Sequence, residues 1–227
     1  MAGRASPWWD RCRRCLTVWC YGASGIIGEI AAHPNLTVAL APTGLFSGAG
    51  ARPMNAQFAA FAWSNDERIA SLSGQRFTDD YRNNVLGKGG VLDSGPATLA
   101  LTAVALTDPL RELDALKLIQ EARYVSGGDV TDMLEVREIL EIAGLDAASN
   151  RLVAPDADLL SANRQRIEAA RVLMKQFRVD GVPVLIVDEG QRRSAIRAQE
   201  LFGNADLVAR LAGVGTFSAD AVRQNHS

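Results

Sequence analysis

Chemistry has few places to sit in this chain, and the first is Thr17-Val18-Trp19-Cys20-Tyr21-Gly22, which sets a thiol between two aromatic residues just ahead of a helix-like run. At a helix start the first-turn amide N–H groups have no intrahelical partner, and together with the macrodipole they favour a thiolate. The second place is Gly181-Val182-Pro183-Val184-Leu185-Ile186-Val187, where a proline enters a strongly β-prone run. Proline cannot donate a ladder hydrogen bond, so at the head of a strand it marks an edge, a bulge or a cis bond. Cys12-Arg13-Arg14-Cys15 has Cys-x-x-Cys spacing and arginines that would lower a thiol pKa, but no second ligand pair for zinc. Chance spacing is the simpler reading, although a bend would bring Cys15 to Cys20.

Other chemistries have weaker residues. His33 precedes Pro34 in a turn and His226 lies in the tail, so no histidine is placed as the general base of a Thr-His or Cys-His hydrolase. Asp129 and Asp132 could pair as carboxylates, but beside Val130-Thr131 at a helix start the N-cap role is stronger. Gly87-Lys88-Gly89-Gly90 resembles a phosphate loop in composition only, since it has neither the spacing nor a preceding strand.

The elements that must position these residues follow from periodicity. A helix from near Cys20 to Ala32 stops at His33-Pro34-Asn35, and Leu36 to Ala41 reads as a strand ending at Pro42. A long helical pattern starts with Phe58, Phe61, Ala62 and Trp63 on one apolar face, and Phe77 to Leu86 is a shorter one. Pro96 sits in the first turn of a nearly all-apolar helix, Ala97 to Ala105. Leu110 to Tyr124 is another, broken by Gly127-Gly128, and Asp129 to Ala143 one more, stopped by Gly144. Leu159 to Phe177 is helical. The Pro183 strand then turns at Asp188-Glu189-Gly190 into a short strand, Arg193 to Ile196, before a last helix, Ala198 to Leu211. Residues 1 to 16 lack alternation and make a poor strand. The order is that of an α/β layer interrupted by a helical block.

Composition sets the outer limits. With 227 residues, 48% hydrophobic and 22% charged, the chain can bury a full core, and a net charge of −2 offers nothing to nucleic acid or an anionic membrane. No apolar run approaches the roughly 20 residues a bilayer needs. The N-terminus carries four arginines but no apolar stretch of a secretory signal, so a cytoplasmic location is expected. Three cysteines confined to positions 12 to 20 are no structural disulfide framework.

Several stretches, in order along the chain, resemble the DsbA family of thioredoxin-fold proteins, in particular its FrnE-like branch of candidate protein disulfide isomerases. They are Trp19-Cys20-Tyr21-Gly22, Gly44-Leu45-Phe46, Asn65-Asp66-Glu67-Arg68-Ile69-Ala70 with Gly74-Gln75 and Phe77, Asp93-Ser94-Gly95-Pro96-Ala97, Tyr124 to Thr131, and Gly181-Val182-Pro183. The resemblance implies an α/β thioredoxin-like fold with a helical insertion and a degenerate first strand. Its parts would be an atypical segment 1–16, a thioredoxin-like domain from 17–54 and 151–212, a helical insertion 55–150, and a loose tail 213–227. It further implies a Cys-x-Trp-Cys site at the start of the first helix, facing a cis-proline loop, whose first cysteine attacks a disulfide and whose second resolves the mixed disulfide.

Cys20 falls on the resolving position and Thr17 on the attacking one. A threonine hydroxyl cannot form a disulfide, so the site reads as an impaired or vestigial thiol-disulfide oxidoreductase. Trp19, Tyr21, Val182 and Pro183 would meet a thiol-bearing or disulfide-bearing protein or peptide. A second reading is a glutathione-dependent isomerase or transferase, with Thr17 hydrogen-bonding a glutathione thiolate as a serine does in the kappa-class glutathione transferases, glutathione as co-substrate and no bound cofactor or metal. A third is a non-catalytic module that keeps the peptide groove. The mismatch at residues 1–16 also raises the expectation that the encoded N-terminus is displaced by a reading-frame difference just before Val18.

Overall fold

The computed structural model describes the backbone of residues 14–17 and all of residues 20–188, 192–202, 204 and 206–213. Strand β1 (Arg14–Thr17) leads through a 3-10 turn at Tyr21–Ala23 into α1 (Ser24–Ala32), and β2 (Val38–Ala41) returns parallel to β1 with Arg14 opposite Val38 and Thr17 opposite Ala41. Parallel strands need such a crossover, and α1 supplies it. Pro34 ends the helix because the residue before a proline is pushed out of the helical region, and His33 is extended at φ −80°, ψ 125°. The pattern-poor N-terminal segment thus does contribute a strand. It is short, and its place is fixed by neighbours on both edges rather than by its own alternation.

Between β2 and the second half of the sheet the chain is almost wholly helical. A two-stranded ribbon pairs β3 (Arg52–Pro53) with β4 (Val91–Leu92). Within and beyond it come α2 (Ala56–Ser73), α3 (Asp79–Tyr81) running into a π-helical turn at Arg82–Leu86, α4 (Gly95–Thr107), α5 (Glu112–Tyr124), α6 (Met133–Ile142), α7 (Asp146–Val153) and α8 (Ala157–Gln176). The starts of α2, α3, α6 and α8 are capped by side chains that accept first-turn amides: Asn55 from Phe58, Thr78 from Tyr81, Asp132 from Leu134 and Asp156 from Leu159. Gly74, at φ 71°, ends α2 in the left-handed conformation that glycine adopts without strain.

Strand β5 (Val184–Asp188) is buried along its whole length and pairs antiparallel with β1 on one edge and with β6 (Arg193–Arg197) on the other, giving the order β2-β1-β5-β6. Its alternation divides the core. Leu185 and Val187 join the main cluster with Ile27, Ile30, Leu40, Leu101 and Ile119, while Val184 and Ile186 face Phe177 and Val179. Across the main cluster runs a polar tie. Arg166 of α8 donates to the Leu40 carbonyl of β2 and the Thr102 hydroxyl of α4, each at 3.3 Å, and forms an ion pair with Glu112 of α5.

Three expectations are corrected. Phe61 is 65% exposed, so the inner face of α2 is Phe58, Ala59, Ala62 and Trp63, packed on Tyr81, Val85, Leu86 and Leu92. Helix α7 lies where no element was expected, because its inward face, Leu145, Ala148, Ser149 and Leu152, has helical spacing but small residues at two of its four positions. The last helix is two short ones, α9 (Ala198–Phe202) and α10 (Leu207–Leu211). Residues 1–13, 18–19, 189–191, 203, 205 and 214–227 lie outside the described residues, and with them the turn expected at Asp188-Glu189-Gly190.

Candidate functional site

Strand register brings the two chemical stretches to one end of the sheet. In the antiparallel pair, Leu16 stands opposite Leu185, so Thr17, the last residue of β1, lies level with the start of β5 and the Val182-Pro183 peptide just before it. That peptide bond is cis. The loop after β2 leaves from the same end, because β2 runs parallel to β1, and Arg171 of α8 holds it by donating to the carbonyls of Thr43 and Gly44 at 3.0 Å each. Val182 borders a slot of about 10 Å³ with Thr43, Gly44, Phe46 and Ser94, room for no more than a water.

Cys20 is the N-cap of the 3-10 turn, extended at φ −117°, ψ 96°, with its carbonyl accepting from the Ala23 amide at 3.1 Å. The sequence expectation of a thiolate here is not met. Burial pushes the Cys20 thiol up to about 11; the amides of Ala23 and Gly22 pull it down, and the Asp66 charge adds a smaller upward push. Desolvation of the sulfur outweighs the turn's free amides. The rate at which a neutral alkylating reagent labels Cys20 should therefore climb about tenfold per pH unit until about 11. A plateau near pH 8, read by mass spectrometry of the Cys20 peptide, would contradict this.

Tyr21 is buried at 6% exposure, its ring stacked on Tyr124 at 4.9 Å and edge-on to Phe77 at 5.3 Å, so it belongs to the packing, and it borders a groove between α1 and α5. Gly22 allows this approach, since a Cβ there would overlap the Ile69 side chain of α2. Gly22→Ala should cost about 1–3 kcal/mol in urea unfolding. The side chain of Thr17 and the whole of Trp19 and Cys12 lie outside the described residues, while the backbone of Cys15 sits in β1 opposite Ile186 and Ala39.

No protein-family model matches the chain, and no curated protein matches it in sequence. Solved structures do match. The cytosolic disulfide reductase DsbM from Pseudomonas aeruginosa superposes with a TM-score of 0.77 at 24% identity, over 88% of this chain and 97% of that one. The same reductase with GSH gives 0.76 at 25% identity over the same shares. A candidate protein disulfide isomerase from Nitrosomonas europaea gives 0.67 at 22% identity, over 89% of this chain and 97% of that one. This is a DsbA-like thioredoxin fold.

In that DsbA-like frame the sequence had not singled out an acid–aromatic cluster beside Cys20. The Tyr81 hydroxyl donates to Asp66 at 2.9 Å, Tyr81 and Tyr124 lie 4.9 Å apart, and Arg123 lies over both rings. Burial raises the Asp66 carboxyl from 3.8 to about 6, against the downward pull of Tyr81 and Arg123. The native state thus holds a proton that the unfolded chain releases. Stability from this group is full below about pH 3.8, falls as pH rises towards 6 and is level above it, a change of roughly 3 kcal/mol. Urea unfolding between these limits should show the slope, and Asp66→Asn should flatten it. Asp66 and Tyr124 stand in stretches that carry the resemblance, but only the fold reveals that they meet.

The remaining candidates resolve as structure. Asp132 caps α6, and Asp129 accepts from the Thr131 amide at 3.2 Å and from its hydroxyl at 2.5 Å, which holds its carboxyl below the usual range. His33 accepts from the Asn35 amide in the turn after α1. Among the described residues no cluster of three or more His, Cys, Asp or Glu is placed to hold a metal ion, and no helix is long and apolar enough to cross a membrane.

Proposed function

We propose that the chain is a thiol-disulfide oxidoreductase of the DsbA type, acting on thiol-bearing or disulfide-bearing proteins or peptides, with Cys20 as the resolving thiol and Thr17 in place of the attacking one. The observation that carries this reading is the strand register, which sets Thr17, three residues before Cys20, level with the start of β5 and the cis Val182-Pro183 peptide. The Cys20 thiol, pushed up to about 11, suits a sulfur that is used late rather than one that attacks first at neutral pH. The neighbours' names, a cytosolic disulfide reductase and a candidate disulfide isomerase, support the same chemistry and a cytosolic setting.

With Cys20 the one thiol described at the site, the cycle needs a partner. At alkaline pH, where Cys20 ionises, it can stand in for the missing attacker: its thiolate attacks a disulfide, one thiolate leaves, and Cys20 is held in a mixed disulfide that an external thiol must open. Exposure to glutathione disulfide at about pH 10, one unit below the Cys20 value of about 11, should add one glutathionyl group to the Cys20 peptide. Cys20→Ser should abolish that adduct. An unmodified Cys20 peptide in the folded wild type would overturn the proposal.

One observation favours a second reading. DsbM has been solved with GSH, which supports glutathione as a ligand of this chain. If Thr17 hydrogen-bonds its thiolate, Thr17→Ala weakens glutathione binding while Cys20→Ser leaves it intact.

A further inference from the structure

Arg123 of α5 is 2% exposed, and its Nε and Nη1 atoms are buried with no hydrogen-bond partner among the described residues. What surrounds the guanidinium is aromatic: its centre lies 5.8 Å from the Tyr81 ring and 5.7 Å from that of Tyr124. Cation–π contact offsets part of the desolvation of a buried charge, but not the donors left unpaired. A buried arginine with unused donors is uncommon enough to ask what acceptor the fold leaves out.

The space beside it gives an answer. Arg123 borders a cavity of about 160 Å³, walled by Asn84 of the π-helical turn, the Lys88-Gly89-Gly90 loop, Asp129 and Thr131. At about 30 Å³ per water this holds roughly five waters or one small ion with a few of them. Lys88 stands at its mouth, 67% exposed, 3.8 Å from the Asp129 carboxylate. Asp129 already accepts two hydrogen bonds from Thr131. The charged side chains that wall the cavity are therefore two cations and one carboxylate whose hydrogen bonds are partly made elsewhere. Asp66, hydrogen-bonded by Tyr81, acts on Arg123 from outside the cavity.

We propose that this cavity binds a small oxyanion, a phosphate or a carboxylate group, with Arg123 as its buried partner and Lys88 at the entrance. The Gly87-Lys88-Gly89-Gly90 stretch thereby has a use that its spacing alone did not support. Gly89 and Gly90 adopt φ 80° and 96°, backbone that lets the loop turn tightly over the opening.

The test is calorimetric titration of the full chain with inorganic phosphate and, separately, with acetate at constant ionic strength. Saturable binding of phosphate identifies a phosphate-type ligand, and saturable binding of acetate a carboxylate. In either case Arg123→Lys should weaken affinity about tenfold, because an ammonium replaces a planar multi-donor group. Lys88→Gln, at an exposed position that does not threaten folding, should weaken it about threefold. No saturable binding of either anion by wild type overturns the proposal. So does an affinity unchanged in folded Arg123→Lys, or unchanged in Lys88→Gln if the first variant does not fold.

Discussion

Thr17→Cys should reduce insulin disulfides, with a thiol reductant supplied, at roughly 10² times the wild-type rate or more, since it restores the attacking group of a covalent cycle. The variant needs no other change. The introduced thiol would sit at the last position of β1, three residues before Cys20, at the sheet end that also holds the Val182-Pro183 peptide. Attack would form a mixed disulfide at position 17, and Cys20 would displace the substrate to leave an internal disulfide for the reductant to open. The high Cys20 value of about 11 sets that second step as the slow one at neutral pH. Equal rates for the two proteins would mean that another thiol already completes the cycle. Cys15, two residues before Thr17 in β1, would then be the residue to replace next.

The second large effect concerns stability. Glu112→Ala should cost about 3–5 kcal/mol in urea unfolding, because it takes the Glu112 carboxylate away from the buried Arg166 guanidinium. Arg166 would keep its bonds to Leu40 and Thr102, but these are neutral acceptors. Burial raises the Glu112 carboxyl while Arg166 pulls it down, so the charged form depends on its partner. Replacing both residues by apolar ones of similar volume should recover most of the loss, since a buried ion pair and a packed hydrophobic pair are often close in energy. A loss under about 1 kcal/mol for the single variant would show that α5 shifts and lets water reach Arg166.

What could be read in the sequence was local. The Val184–Val187 run, Pro96 in the first turn of α4, Asp132 as a cap and Gly144 as a stop each act through a few neighbouring residues, and the structure keeps them. Strand β1 was hidden because its partners are β2 and β5, and an arginine-rich stretch gives no sign of them. The Cys20 site was legible as a position but not as a chemical state. The helix-start effect is visible in sequence, whereas the burial that overrides it comes from packing against the main core cluster. Arg123, Asp66 and Tyr81 lie on three different helices, and no spacing rule joins them.

Strand β1 also poses a problem of timing. Its β2 edge can be satisfied as soon as α1 and β2 have been made, but its other edge waits for β5, about 165 residues later, a wait of roughly 10–30 s at ordinary rates of synthesis. Throughout that interval the nascent chain shows an unpaired strand edge, the kind of surface on which another copy can template itself. The charge of Arg14 on so short a strand, and closure of the helices from α2 to α8 by local contacts ahead of β5, would protect it on the ribosome. Yield from expression should accordingly depend more on β1 and on the speed of the β5–β6 hairpin than on the helices between them.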